Sequence, residues 1–325
     1  MATNFYDKVA KKFGGYAFGS GHVRRISEYT NGDPERIFKK KLLDLAGKDR
    51  HVLDAGCGDG KFAFQIAKYF SDIIGIDTSK ELLEIAGQKQ STLRVKNIVF
   101  EFQDAGKTSF PDKSFDLIFS RRGPMPYYEF YRLLKPNGYP PSQKTTAVKP
   151  WMNAGLLLRR ILLRRRRWGY LGRKSAEPHF VGIGIGERDC QEIKEIFGRG
   201  QGYEKPRPWP WYLLFRFAIE SVLHLRACPR YSLAKHKKWS TSRLEKDKRE
   251  LEAAGFEIVF AQDYFYDEYY ASHEDLDLFL QGVPIFEDFD SEKDRNLLEE
   301  YVTEFKTEKG IRFPRHRMVI EAKKI

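Results

Sequence analysis

Cysteine is scarce: among 325 residues there are three, Cys57, Cys190 and Cys228, far apart in the chain. They form no C-x-x-C pair, so neither a zinc site nor a disulfide framework is indicated, and no metal is expected. Long apolar runs are also lacking. The greasiest stretch, Trp211 to Leu225, is broken by Arg216 and Glu220. It falls short of the ~20 apolar residues that a membrane helix needs. The first residues, Met1 to Lys8, contain no apolar core and do not read as a signal peptide. A reducing, cytoplasmic setting is the simplest expectation.

Acidic residues are in deficit, with 45 Asp and Glu against 57 Lys and Arg, a net charge of +12. That excess is local. Residues 140–179 carry a net +9 and residues 204–240 a net +6, which leaves −3 for everything else. A nucleic-acid partner would therefore have to dock on these two segments, because the body of the protein is not basic. A 41% hydrophobic and 14% aromatic composition is enough for a buried core and argues against a disordered chain.

What is present is an alternation of short strands and helices. Residues 4–13 and 34–46 read as helices, the second with Asp33 as N-cap, Pro34 at its first position and Gly47 as its stop. Strands follow at 51–54, 73–76, 98–103 and 115–120, with helices between them at 61–70 and 79–90 and a further helix at 127–134. Such spacing calls for a parallel sheet of right-handed βαβ units.

A fifth strand should start at Gly138-Tyr139, but the chain meets Pro140-Pro141, which cannot continue a central strand. Strand character returns at Phe180–Ile185. Residues 140–179 therefore read as a basic, Pro/Arg-rich insertion in a single domain spanning 1–325. Residues 204–240, with Pro206, Pro208 and Pro210 around Trp209 and Trp211, read as a second insertion. A helix at 242–254, a strand at 256–265, helices at 274–280 and 292–306 and a last strand at 317–322 complete the pattern. Residues 266–312 are expected to form a helical cap on the substrate side.

The chemistry-bearing feature is the run Asp54-Ala55-Gly56-Cys57-Gly58-Asp59-Gly60 between the first strand and its helix. Glycines there allow positive φ and let a ligand approach the backbone. The helix start adds free N–H groups and a positive dipole end. The spacing is G-x-G-x-G, not the G-x-G-x-x-G of dinucleotide sites, which disfavours a nicotinamide dehydrogenase. Asp54 and Asp59 would repel a pyrophosphate but suit a ligand bearing an ammonium and a sulfonium. Asp77 ends the second strand roughly 20 residues later, where an acid accepts hydrogen bonds from ribose hydroxyls.

The ordered series continues with Gly75-Ile76-Asp77, Gln103-Asp104-Ala105, Phe115 to Ser120, and Arg132-Leu133-Leu134-Lys135-Pro136-Asn137-Gly138. Together these resemble the motifs of the class I S-adenosylmethionine (SAM)-dependent methyltransferases, closest to their small-molecule-like methyltransferase-domain branch. The resemblance is dense over 52–138 and looser from 242 onward. It implies a Rossmann-like, largely parallel seven-stranded sheet of order 3-2-1-4-5-7-6 with helices on both faces and the last strand antiparallel. It also implies SAM as cofactor, held by Asp54, Gly56, Cys57, Gly58, Asp77, Thr78, Asp104, Ala105 and Ser120. Tyr16 is a candidate to close over it.

The acceptor is expected to be a small molecule. The sequence after the fourth strand, Ser120-Arg121-Arg122-Gly123-Pro124, is neither the Asn/Asp-Pro-Pro-Tyr of amino-group methylation nor a Pro-Cys of covalent pyrimidine chemistry. Arg121 and Arg122 could meet an anionic substrate, although solvated charges or internal ion pairs are the blander reading. Tyr266 and His273 are further substrate candidates, followed by Arg188, Tyr264, Tyr269, Tyr270 and His316. Two alternatives remain open here: RNA methylation with docking through the basic segments, and a SAM-binding scaffold without turnover. No catalytic base and no oligomeric state is assigned.

Overall fold

The structure is a computed structural model that describes residues 5–16, 23–136, 177–199 and 242–325. In chain order its elements begin with α1 (Phe5–Phe13), β1 (Arg25–Tyr29), α2 (Pro34–Asp44), β2 (His51–Ala55), α3 (Lys61–Ile66) and β3 (Asp72–Asp77). They continue with α4 (Lys80–Leu93), β4 (Ile98–Phe102), β5 (Leu117–Arg121), α5 (Tyr127–Leu133), β6 (His179–Ile185) and α6 (Gln191–Phe197). The last are α7 (Arg243–Ala253), β7 (Phe256–Tyr270), α8 (His273–Gln281), α9 (Arg295–Phe305), β8 (Lys306–Thr307) and β9 (Gly310–Lys324). The basic segment expected as an insertion over 140–179 lies outside the described residues, save for its last three, and the 204–240 segment lies wholly outside them.

One nine-stranded mixed sheet runs β1-β7-β9-β6-β5-β2-β3-β4, with β8 paired to β9. Counting from β2 as the first strand, seven of these follow the expected order 3-2-1-4-5-7-6. β2 to β6 pair in parallel, whereas β9 is antiparallel to both β6 and β7. The two additional strands are β1, which covers the outer edge of β7, and the two-residue β8.

Period-two alternation sorts each strand between two cores. Val52, Leu117, Phe119, Val181 and Val319 face one side with Phe38 and Leu42 of α2 and Ala63 and Ile66 of α3. Leu53, Ile118, Phe180, Met318 and Ile320 face the other with Tyr127 and Phe130 of α5 and Leu244 and Leu251 of α7. Burial of each large apolar side chain stabilises the fold by about 1.5–3 kcal/mol. Helix starts are fixed as their sequences suggest: Asp33 Oδ1 accepts from the Glu35 amide at 2.9 Å, and Ser79 Oγ from the Leu82 amide at 3.2 Å.

The helical stretch expected over 266–312 is shorter, because β7 runs on through Tyr270 and β9 starts at Gly310. Tyr264, Tyr266, Glu268 and Tyr270 are all buried at alternate positions, so the strand period continues past Phe265. Glu268 can be buried there because Arg315 donates to it at 2.7 Å and the Tyr270 hydroxyl at 2.9 Å. The extensions of β7 and β9, together with α6, α8 and α9, close a third core around Phe279, Tyr301 and Phe313.

Candidate active site

The loop after β2 takes the backbone form that its glycines allow. Gly56, Gly58 and Gly60 have φ of 80°, 54° and 71°, all left-handed. The Gly56 and Cys57 amides both donate to the Ile76 carbonyl, at 2.9 and 3.0 Å, which binds the loop to the end of β3. A Cβ on Gly60 would lie 2.6 Å from Phe100, and one on Gly56 3.0 Å from Pro124, whereas one on Gly58 would meet nothing nearer than Leu82 at 4.0 Å. Gly58 thus faces open space, a cradle that any larger side chain would fill. Gly75 leaves room for Cys57, whose sulfur would stand 3.0 Å from a Cβ there. Burial pushes that thiol well above its ordinary pKa, so it packs as a neutral group.

Asp77 locks the loop from the next strand. Its Oδ2 accepts from the Gly58 amide at 2.8 Å and its Oδ1 from the Ser79 amide at 2.9 Å. Burial raises its pKa, partly offset by those amides. Asp54 is 2% exposed at the end of β2. Burial first, opposed by Arg121 and reinforced by Asp77, pushes its carboxyl up to about 8. Asp59, which the sequence offers to a cationic ligand, is paired with Lys89. Asp104 Oδ1 accepts from the Gly106 amide at 2.8 Å and fixes the turn after β4.

These groups surround one cavity of about 820 Å³ at the carboxyl ends of β2, β3 and β5. Asp54, Gly56, Cys57, Gly58, Asp77, Thr78, Asp104 and Ala105 all line it, as do Arg121, Arg122 and Tyr16. Ser120 does not. It is fully buried behind Gly123, and its Oγ has no hydrogen-bond partner among the described residues.

Nor do Tyr266 and His273 reach the cavity. Tyr266 packs on Tyr29 of β1 with ring centroids 5.0 Å apart, and His273 opens α8 beside the third core. His316 is buried and its Nε2 lies 2.8 Å from Asp263 Oδ1, while Arg188 sits over the Phe265 ring. Tyr264 and Tyr270 are core residues, and Tyr269 carries Lys309 over its ring.

The arginines after β5 are engaged internally. Glu35 of α2 accepts from Arg121 Nε at 2.8 Å and lies 3.3 Å from Arg122 Nε. Burial alone would raise the Glu35 pKa, but Arg122 and then Arg121 overcome it and hold the carboxyl below its usual range. Glu35 and Tyr6, both on the cavity wall, are functional candidates that sequence reasoning missed. Glu35 sits in the first turn of a helix, where an acid needs no further explanation. Tyr6 rides on α1, which is held against α4 by Asp7 accepting from Ser79 Oγ at 2.6 Å. Among the described residues, no cluster of three or more His, Cys, Asp or Glu could hold a metal ion, and no helix is long and apolar enough to cross a membrane.

A family model described as a methyltransferase domain matches residues 46–147. Phosphoethanolamine N-methyltransferase 3 of Arabidopsis thaliana is 36% identical over 147 residues, 41% of this chain and 29% of that protein. The O-methyltransferase cnsE of Penicillium expansum is 40% identical over 118 residues, 34% of this chain and 41% of that protein. The chain thus spans well under half the length of these curated relatives. The crystal structure of a protein of unknown function from Deinococcus radiodurans R1 superposes with a TM-score of 0.50 at 18% identity, covering 98% of this chain and 99% of that one, a likeness of fold. Residues 46–147 thus carry the signature of a methyltransferase domain, and the central strands of the sheet run in the order that the resemblance to class I SAM-dependent methyltransferases implies.

Proposed function

We propose that the chain transfers a methyl group from SAM to a small-molecule acceptor. The observation that carries this reading is the cavity itself. It gathers the glycine loop, Asp54, Asp77 and Asp104 around a single volume of about 820 Å³, within the ~300–1,000 Å³ typical of small-molecule sites.

The donor set fits an adenosyl amino acid. The open space over Gly58 admits the ligand to the backbone. Asp77 keeps lone pairs beyond those used by Gly58 and Ser79 and would accept from ribose hydroxyls. Asp104 and Ala105 would meet the adenine edge, and Asp54 the ammonium. When bound, SAM supplies a methyl group already activated on a sulfonium. The protein's part is then alignment and exclusion of water, an effect able to supply roughly 7–11 kcal/mol. Tyr6 and Tyr16, which lie 6.1 Å apart at the cavity wall, would shield the ligand from solvent.

The test is incubation with methyl-labelled SAM and a fractionated metabolite pool beside a matched RNA fraction. Label in a low-mass compound, with release of S-adenosylhomocysteine (SAH), is the expected result. Label in RNA would favour docking through the basic segments, and SAH binding without turnover would favour a scaffold.

A further inference from the structure

A second cavity, of about 760 Å³, lies between the loop after β5 and the first turns of α7. It adjoins the first at Gly123 and Pro124, which line both. Pro124, Met125 and Tyr127 give it an apolar side. Met125 can lie against β6 because Gly182 and Gly184 bear no side chain: a Cβ on either would stand 3.3 or 3.2 Å from its methyl carbon. Of the charged residues that line the cavity, Asp247 is buried, at 8% exposure, whereas Arg243, Lys246, Arg249 and Glu250 are exposed and screened by water. Glu187 accepts from the Arg243 amide at 3.2 Å.

The protein gives Asp247 only a weak counter-charge. Arg243 Nε is 3.9 Å away on a half-exposed side chain. Burial outweighs Arg243, with Glu250 adding to the effect, and pushes the Asp247 carboxyl up to about 6. Asp189 is the contrary case: it is also buried, but Arg315 and Arg317 hold its carboxyl well below the usual range. Asp54, the acid that the methyl-transfer reading gives to the cofactor's ammonium, is raised as Asp247 is. The Tyr127 hydroxyl donates to Asp247 and keeps its lone pairs for a further donor. A carboxylate and a phenol oxygen, both able to accept, are thus placed from buried residues beside an apolar wall.

We propose that the second cavity binds a small organic ammonium, seated on the Asp247 carboxylate and the Tyr127 hydroxyl with its carbon body against Pro124 and Met125. The ligand then sits beside the cofactor cavity, across Gly123 and Pro124. Such binding needs no methyl transfer, so it stands apart from the reading above.

The test is calorimetric titration of the full chain at pH 7.5 with phenethylamine and with 2-phenylethanol, its uncharged counterpart, before and after saturation with SAH. Saturable binding of the amine in both states is expected, with the alcohol about tenfold weaker or worse, the scale of losing a charged hydrogen bond. Asp247→Asn should weaken the amine by a similar factor and Tyr127→Phe severalfold. Glu250→Gln, a change at the exposed rim, should leave its affinity within about twofold. In wild type the affinity should fall roughly tenfold from pH 7.5 to pH 5 as Asp247 takes up its proton. Cooperative urea melts show that each variant keeps its fold; should Asp247→Asn not fold, Tyr127→Phe and the pH series decide in its place.

Amine binding that is absent from wild type, matched by the alcohol, or unchanged in Asp247→Asn, in Tyr127→Phe or at pH 5 would overturn the assignment. So would loss of the amine on saturation with SAH, which would put it in the first cavity beside Asp54. A chain that binds the amine but gives no heat with SAH would remove the methyl-transfer reading and leave the second site standing.

Discussion

Asp54 has a carboxyl pKa of about 8 in the ligand-free fold because it is buried at the end of β2, with Arg121 only partly offsetting the loss of water. At pH 7 about nine molecules in ten therefore carry the proton, and removing it costs about 1.4 kcal/mol. A ligand ammonium seated beside Asp54 favours the ionised form. Binding of SAH at pH 7 should then release close to one proton and at pH 9 almost none. Because the ionised fraction rises from about 1 in 100 at pH 6 to about half at pH 8, affinity should increase up to fiftyfold across that window. Calorimetry in phosphate and Tris buffers, whose ionisation enthalpies differ widely, counts the released proton directly. Asp54→Asn should abolish both the release and the pH dependence. So should 5′-methylthioadenosine, which lacks the amine. An affinity that stays flat between pH 6 and 8, or release unchanged in Asp54→Asn, would refute the reasoning.

The same residue links to stability with the opposite sign from a salt-bridged acid. Its pKa is raised above the unfolded value, so the ligand-free fold loses stability as pH climbs from about 4 to about 8, with a linkage limit of about 5–6 kcal/mol. Asp54→Asn should accordingly raise the ligand-free Tm at pH 8 and leave it little changed at pH 4, as scanning calorimetry would show. Gly58→Ala should cost only about 1 kcal/mol of backbone strain yet abolish SAH binding. Gly60→Ala, with Phe100 at 2.6 Å from the new Cβ, should cost a further 1–3 kcal/mol, roughly, by overpacking, so denaturant melts and SAH titrations should rank the two variants in opposite orders. Arg315→Met leaves Asp189 and Glu268 short of a buried partner and should destabilise the chain by about 3–5 kcal/mol in urea melts.

The half of the sheet from β2 to β5 was legible in the sequence because its signals are local. Positive-φ glycines, a capping Asp33 and an acid closing β3 all act within a few residues of themselves. In the other half β6 and the middle of β7 and of β9 were legible, but the extensions of β7 and β9 and the whole of β1 were not. The sequence reading stops β7 at Phe265 and starts β9 only at Arg317, because Glu268 and Arg315 look like surface residues until Asp189 is brought to Arg315 from the loop after β6 and Arg315 meets Glu268. β1 has little pattern of its own and exists only as a cover for the extended β7. Glu35 reaches Arg121 across 86 residues of chain, so no spacing rule could pair them. Tyr266 earned its place as a substrate candidate by aromatic clustering, yet its ring is committed to Tyr29. It neighbours the Arg315 and Arg317 network, not the cavity.

The central claim is that the loop after β2 and the carboxylate of Asp77 hold an adenosyl ligand. Calorimetric titration of SAH into wild type and Asp77→Ala addresses it most directly. One bound ligand per chain, with affinity lost in the variant, is the expected outcome; no heat with wild type, or equal affinity in both proteins, would contradict it.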